Sequence, residues 1–186
     1  MRIAKATLWS RWAWSSGLAA GVFAILALLD YRLKALTGVG TADLAFFSSA
    51  IQFQAAFHAW GPERYAVRAG FDLGFDYLLM PLYATAFFYS GVLTAEGFAP
   101  RPGSLRRMLM ALVWVPVIGA LADAAENALQ LTMLLTGATD ALAQLAASAS
   151  RIKNVALLVG LALFLGAVMA RFNERRAAKQ SGISAL

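Results

Sequence analysis

Two carboxylates and an amide share one turn of an otherwise apolar stretch, Asp123, Glu126 and Asn127 in "ADAAENALQ". The segments around it, "MLMALVWVPVIGALA" before and "LTMLLTGAT" after, carry no charge, so the acids lie inside a segment apolar enough to cross a membrane. Gly119, Asp123, Glu126, Asn127 and Gln130 follow the i, i+4, i+7, i+8, i+11 pattern of a single helical face. Asp72 and Asp76, in "FDLGFDYLLMP", form a second i, i+4 pair. Ionisable groups at membrane depth cost about 2.5–3.5 kcal/mol each on insertion scales, so they turn inward, pair, and mark a site. Crowded carboxyls also repel one another. One of them is therefore expected to keep a proton it can donate while another takes one up, which is what general acid–base catalysis requires.

The elements that must hold these groups are read from hydropathy. The chain has 186 residues, 60% of them hydrophobic and 14% charged, which describes one compact membrane bundle rather than a soluble domain. Four segments approach the ~20 apolar residues needed to span a bilayer. With their flanks they predict helices at about 12–34, 72–95, 107–135 and 148–171, with a C-terminal tail at 176–186: an all-α, four-helix integral membrane bundle. The first segment is read as a helix and not a leader, being long and without a small-x-small cleavage site.

Sixteen Lys and Arg against ten Asp and Glu give a formal charge of +6. The surplus is placed as a topology signal. Arg2, Lys5 and Arg11 precede the first span, Arg101, Arg106 and Arg107 separate the second from the third, and Arg171, Arg175, Arg176 and Lys179 follow the fourth. Both termini are expected to be cytoplasmic, and nothing resembles a nucleic-acid module. The absence of Cys excludes disulfide, thiolate and Fe–S chemistry, and one His excludes two-histidine haem or zinc sites within the chain.

With that topology, Asp123 and Glu126 stand ~24 and ~28 Å along their helix from Arg107, at 1.5 Å per residue. Asp72 and Asp76 open the second span at the same, outer end, where Asp30, Arg32 and Lys34 end the first and Arg151 and Lys153 begin the fourth. Arg151 and Lys153 point about 200° apart, so at most one faces fully inward, with Asn154 between them. Five acids thus meet four bases in one layer, and Arg32 and one fourth-span base are free to snorkel outward. One reading is a structural ion-pair network. The other is a pocket with carboxylates to spare.

The connection between the first two spans, residues 37–71, carries Phe46, Ala50, Phe53, Phe57 and Trp60 on one stripe, with a helix expected over 44–60, ended by "WGP", and a short one opened by Pro62. It either lies on the membrane surface or folds over the outer mouth as a lid. His58, near its end, is read as interfacial. The link "EGFAPRPGSLRR" is a plain turn.

The acid closing the first span (Asp30), the long aromatic first connection and the second span "FDLGFDYLLMPLYATAFF" together resemble the EXPERA domain, the four-helix fold of emopamil-binding sterol isomerases and sigma-2-type receptors. The resemblance implies that Asp30 stands for that family's helix-1 Asp and Asp72 or Asp76 for its helix-2 Glu. "DAAEN" has no counterpart there. The chain is also similar to a bacterial group of four-helix membrane proteins, which implies a bacterial inner membrane and no particular function.

Four functions follow as expectations. The first is a pocket for an isoprenoid- or sterol-like lipid, with acid–base isomerisation or cyclisation by Asp123, Glu126, Asp76 and Asp72, or binding of a cationic ligand without chemistry. Its contacts would come from Asn127, Asp30, Lys153, Arg151 and Asn154, with cation–π walls from Phe71, Phe75, Tyr77, Tyr83 and Trp114. The first reading needs no cofactor. A second function is a Mg²⁺-dependent prenyl diphosphate enzyme using the D-x-x-x-D and D-x-x-E-N carboxylates. A proton or cation transporter is the third, disfavoured by the apolar lower half. The last is an accessory subunit or homodimer packed through small-residue runs such as "GLAAG" and "AASAS".

Overall fold

The computed structural model describes residues 5–61 and 65–183. Arg2 and the helix start expected at Pro62 lie outside the described residues, as does the Lys179 side chain. The chain is all-helical: α1 (Lys5–Thr37), a 3₁₀ turn (Ala42–Phe46), α2 (Ala50–Trp60), α3 (Ala66–Phe98), α4 (Ser104–Leu112), α5 (Val115–Thr136) and α6 (Asp140–Ile183). Four segments, Lys5–Thr37, Ala66–Phe98, Ser104–Thr136 and Asp140–Ala177, are long and apolar enough to cross a membrane, so this is a multi-pass membrane protein.

Each spanning helix outruns its apolar window. Hydropathy measures the thickness of hydrocarbon, whereas backbone hydrogen bonding continues through charged turns at either end. Thus α6 begins eight residues before the expected 148, and residues 176–183, expected as part of a tail, continue it. The third span differs in kind, because α4 and α5 are separate helices. Pro116 lacks an N–H, and its ring clashes with the carbonyl four residues back, that of Leu112, where α4 stops.

The long α3 forms the spine of the bundle. Against it lie α1 on one side and α5 and α6, packed together, on the other. The α5–α6 approach is close because Gly119 faces Ala156: a Cβ at residue 119 would stand 2.5 Å from the Ala156 Cβ. By contrast Gly17 and Gly21 of "GLAAG" meet nothing within 4 Å. Ion pairs tie the basic end together, Lys5 to Glu174 between α1 and α6, and Arg106 to Glu96 at 2.5 Å between α4 and α3.

At the other end the first connection covers the bundle. Phe53 and Trp60 of α2, buried to 0% and 1% exposure, form one cluster with Leu33, Leu73, Met133 and Ala146, which belong to all four spans. Trp60 Nε1 donates to Val39 O (2.9 Å), Ala50 N to Asp140 Oδ1 (2.8 Å) and Ser150 Oγ to Ala45 O (2.8 Å). The segment is therefore a lid. Phe46 departs from the expected stripe, 79% exposed, because it belongs to the 3₁₀ turn and not to α2. Gly61, at φ +66°, stops α2 after Trp60 as expected, and His58 is exposed.

Candidate functional site

Beneath the lid lies a cavity of about 760 Å³, a size that suits a small hydrophobic molecule. The helical period puts Ser16, Phe23 and Asp30 of α1, Asp72, Asp76, Tyr83 and Phe87 of α3, Asp123, Glu126, Asn127 and Gln130 of α5, and Lys153, Asn154 and Leu157 of α6 on its walls. All five acids of the outer layer line it. Of the four bases only Lys153 does; Arg32 and Arg151 are exposed, and Lys34 pairs with Asp43 of the 3₁₀ turn at 2.6 Å.

The deeper acids are held around that one ammonium. Lys153 Nζ stands 2.6 Å from Glu126 Oε2 and 3.2 Å from Asp123 Oδ1, and the three side chains are only 14%, 1% and 6% exposed. Those two oxygens have no other partner among the described residues. Their mates are also served: Tyr83 OH donates to Asp123 Oδ2 (3.0 Å) and Gln130 Nε2 to Glu126 Oε1 (2.8 Å). Asp123 and Glu126 are thus a framework around a shared cation, with little capacity left for a ligand.

The remaining acids are less completely served. Asp76 Oδ2 accepts from Asn127 Nδ2 (2.8 Å), which also donates to Leu73 O (3.2 Å), and its other oxygen has no protein partner among the described residues. Asp72 and Asp30 meet at the lid, where Thr41 Oγ1 lies 2.6 Å from Asp72 Oδ2 and 3.2 Å from Asp30 Oδ1. A hydroxyl carries one proton, so with both carboxylates ionised it satisfies only one of them. Asp30 Oδ1 also accepts from Ala42 N (2.9 Å), whereas Asp72 Oδ1 is shut off from solvent without a hydrogen-bond partner among the described residues.

Asp43, in the lid and outside the spans, shows how the 3₁₀ turn is held. Burial pushes its carboxyl up, but the Lys34 ammonium and the Gly40 N–H outweigh this and hold it below the usual carboxylate value. Although Asp30 and Lys34 are four residues apart on α1, Lys34 turns to Asp43 and Asp30 to Thr41 and Ala42 N.

Five expected contacts, Phe71, Phe75, Tyr77, Trp114 and Arg151, are not at the cavity. Tyr77 stands ~140° round α3 from Asp72 at 100° per residue, is 39% exposed, and donates to Ala124 O at 2.9 Å. Phe75, ~100° from Asp76, stacks on the exposed Phe71 instead. Trp114 precedes α5 and packs edge-on against Phe88 outside the bundle, 57% exposed. Arg151 faces outward because Lys153, two residues on, takes the inward azimuth. Only Tyr83 among the expected aromatic walls lines the cavity, where Phe23, Phe46, Phe87 and Phe164 join it. The period from Asp76 through Tyr83 already marks Phe87; nothing in the sequence marks Thr41, which arrives by the path of the lid.

Among the described residues no group of three or more His, Cys, Asp or Glu side chains is arranged to hold a metal ion. The D-x-x-x-D and D-x-x-E-N carboxylates are divided between Thr41, Asn127 and Lys153, and Lys153, the base assigned to phosphates in the Mg²⁺ reading, is occupied by two acids.

Fold and site together define a multi-pass, all-α membrane protein with an acid-lined cavity closed by a helical lid. Comparison with protein-family models, with curated proteins and with solved structures finds no match.

Proposed function

We propose that the cavity binds a hydrophobic, isoprenoid- or sterol-like molecule of the membrane and exchanges a proton with it, as in double-bond isomerisation or ring closure. One observation carries the reading: five carboxyl groups surround an otherwise largely apolar cavity with a single ammonium that is already shared by two of them. Asp76 is the acid best placed to work. Its neutral carboxyl would add a proton to an alkene, the carbocation formed would be stabilised by the surrounding carboxylates and the Tyr83 ring, and Asp72 would accept a proton from a neighbouring carbon, leaving the double bond moved and no net oxidation. This is in keeping with the EXPERA resemblance. By the positive-inside rule the basic end is cytoplasmic, in a bacterial inner membrane, and the acids lie in the outer half.

The excess of carboxylates also favours a second reading, capture of an amphiphilic cation without chemistry. Mass spectrometry of molecules extracted from the gently purified protein tests both. A neutral isoprenoid or sterol-like compound is expected for the first, an amine for the second, and absence of any bound hydrophobe from the wild type would refute both. Asp76→Asn should fold normally, because Asn127 still has an oxygen to donate to, and should lose the bound molecule or its turnover.

A further inference from the structure

The cavity has a side. Near the basic end α1 and α6 are pinned together by the Lys5–Glu174 ion pair, by Arg171 over the Trp9 ring (4.8 Å) and by Trp12 against Phe164 (5.3 Å). At the far end the lid, docked on all four spans, closes the bundle. Between these closures α1 and α6 face each other across the cavity.

The residues lining both of its edges are exposed: Ala20 and Ala27 on α1, Asn154 and Leu161 on α6. At 1.5 Å per residue, Ala20 and Leu161 stand ~22 and ~20 Å above the Lys5–Glu174 pin, and Ala27 and Asn154 stand ~33 and ~30 Å above it. Exposed, cavity-lining residues from two different helices therefore recur at two matching heights, which outlines a slot about 10 Å tall. Phe23 lies along its α1 edge, 62% exposed. The slot is apolar below and polar at its upper corner, where Asn154 adjoins Lys153. This is the gradient met by a molecule lying among lipids with its tail in hydrocarbon and its polar end at the interface.

We propose that the cavity is loaded sideways from the bilayer, through the slot between α1 and α6, by a membrane-dissolved hydrophobe that keeps its orientation, polar end toward the lid. The proposal rests on the reading that the cavity holds a hydrophobic molecule. The lid is then a roof and not a door.

The chain has no cysteine, so Ala20→Cys with Leu161→Cys can be bridged by a reducible bifunctional maleimide in phosphatidylcholine vesicles. A diazirine-bearing geranylgeraniol in the same vesicles supplies the probe. Before bridging, irradiation is expected to label Tyr83, Phe87 or Leu157 inside the cavity as well as Leu121, which is 69% exposed on the outside. After bridging, interior labelling should fall to background while Leu121 labelling is unchanged, and reduction should restore it. Interior labelling that persists in the bridged protein overturns the slot and leaves the proposed function standing. No interior labelling in the unbridged protein overturns both.

Discussion

Replacing Lys153 by Met keeps an unbranched side chain, one atom shorter, and removes the one cation of the deep cluster. At an effective dielectric of ~20, an ammonium 2.6 Å from one carboxylate and 3.2 Å from another is attracted by about 6 and 5 kcal/mol before desolvation is counted. The desolvation of three nearly buried ions offsets most of that sum. What the substitution exposes is the remainder: two carboxylates, 1% and 6% exposed, with no counter-charge between them. Breaking a buried pair from one side costs about 3–5 kcal/mol, on the order of 10 °C in melting temperature for a chain of this size. Lys153→Met should melt lower by that amount in detergent or nanodisc. Lys153→Met with Glu126→Gln should recover much of the loss, because only Asp123 is then left unpaired and Tyr83 still donates to it. If the single variant loses less than about 1 kcal/mol, the value of an exposed pair, or if the second substitution lowers stability further, the cluster is not the electrostatic framework described.

Three further outcomes are expected. Gly119→Leu should destabilise the protein by about 1–3 kcal/mol through overpacking against Ala156. It should also part α5 from α6 enough to open Lys153 to amine-modifying reagents, and unchanged stability and reactivity would contradict the packing. Thr41→Val leaves both oxygens of Asp72 without a partner, a cost of about 1–3 kcal/mol, and should speed amide exchange over residues 38–47; protection equal to wild type would mean that Thr41 does not hold the lid. The Asp43 carboxyl sits below its ordinary value of 3.8 in the folded state, so its contribution is complete above that pH and is lost as pH falls through the folded value. Asp43→Asn should accordingly speed exchange of the Gly40 amide at neutral pH and remove the part of the acid-dependent loosening that Asp43 carries, leaving that of the other lid carboxylates, as read by exchange against pH.

Much was legible in the residues themselves. A span announces itself because the bilayer demands some twenty apolar residues, and Asp123, Glu126, Asn127 and Gln130 share a face because 100° per residue is a property of the backbone alone. Depth followed from rise per residue, which brought all five acids to one layer. The same local rules favour a helix break at Pro116, which hydropathy does not register because it does not see a missing N–H. Yet Pro81 lies inside the unbroken α3, so the residue type alone does not decide the outcome.

Tertiary structure decided which partner each charge took. Asp123 and Asp76 differ little by sequence, each an acid on an inward face, yet one is engaged by a Lys and a Tyr from two other helices while the other keeps an oxygen free. That distinction depends on how close α5 and α6 approach at Gly119, a contact between residues far apart in the chain. Thr41 between Asp30 and Asp72 depends likewise on where an eleven-residue helix docks across four helix ends. Electrostatic pairing falls off with distance and is settled only by packing, so the chain alone marks where the charges gather and the fold determines which of them remain free to work.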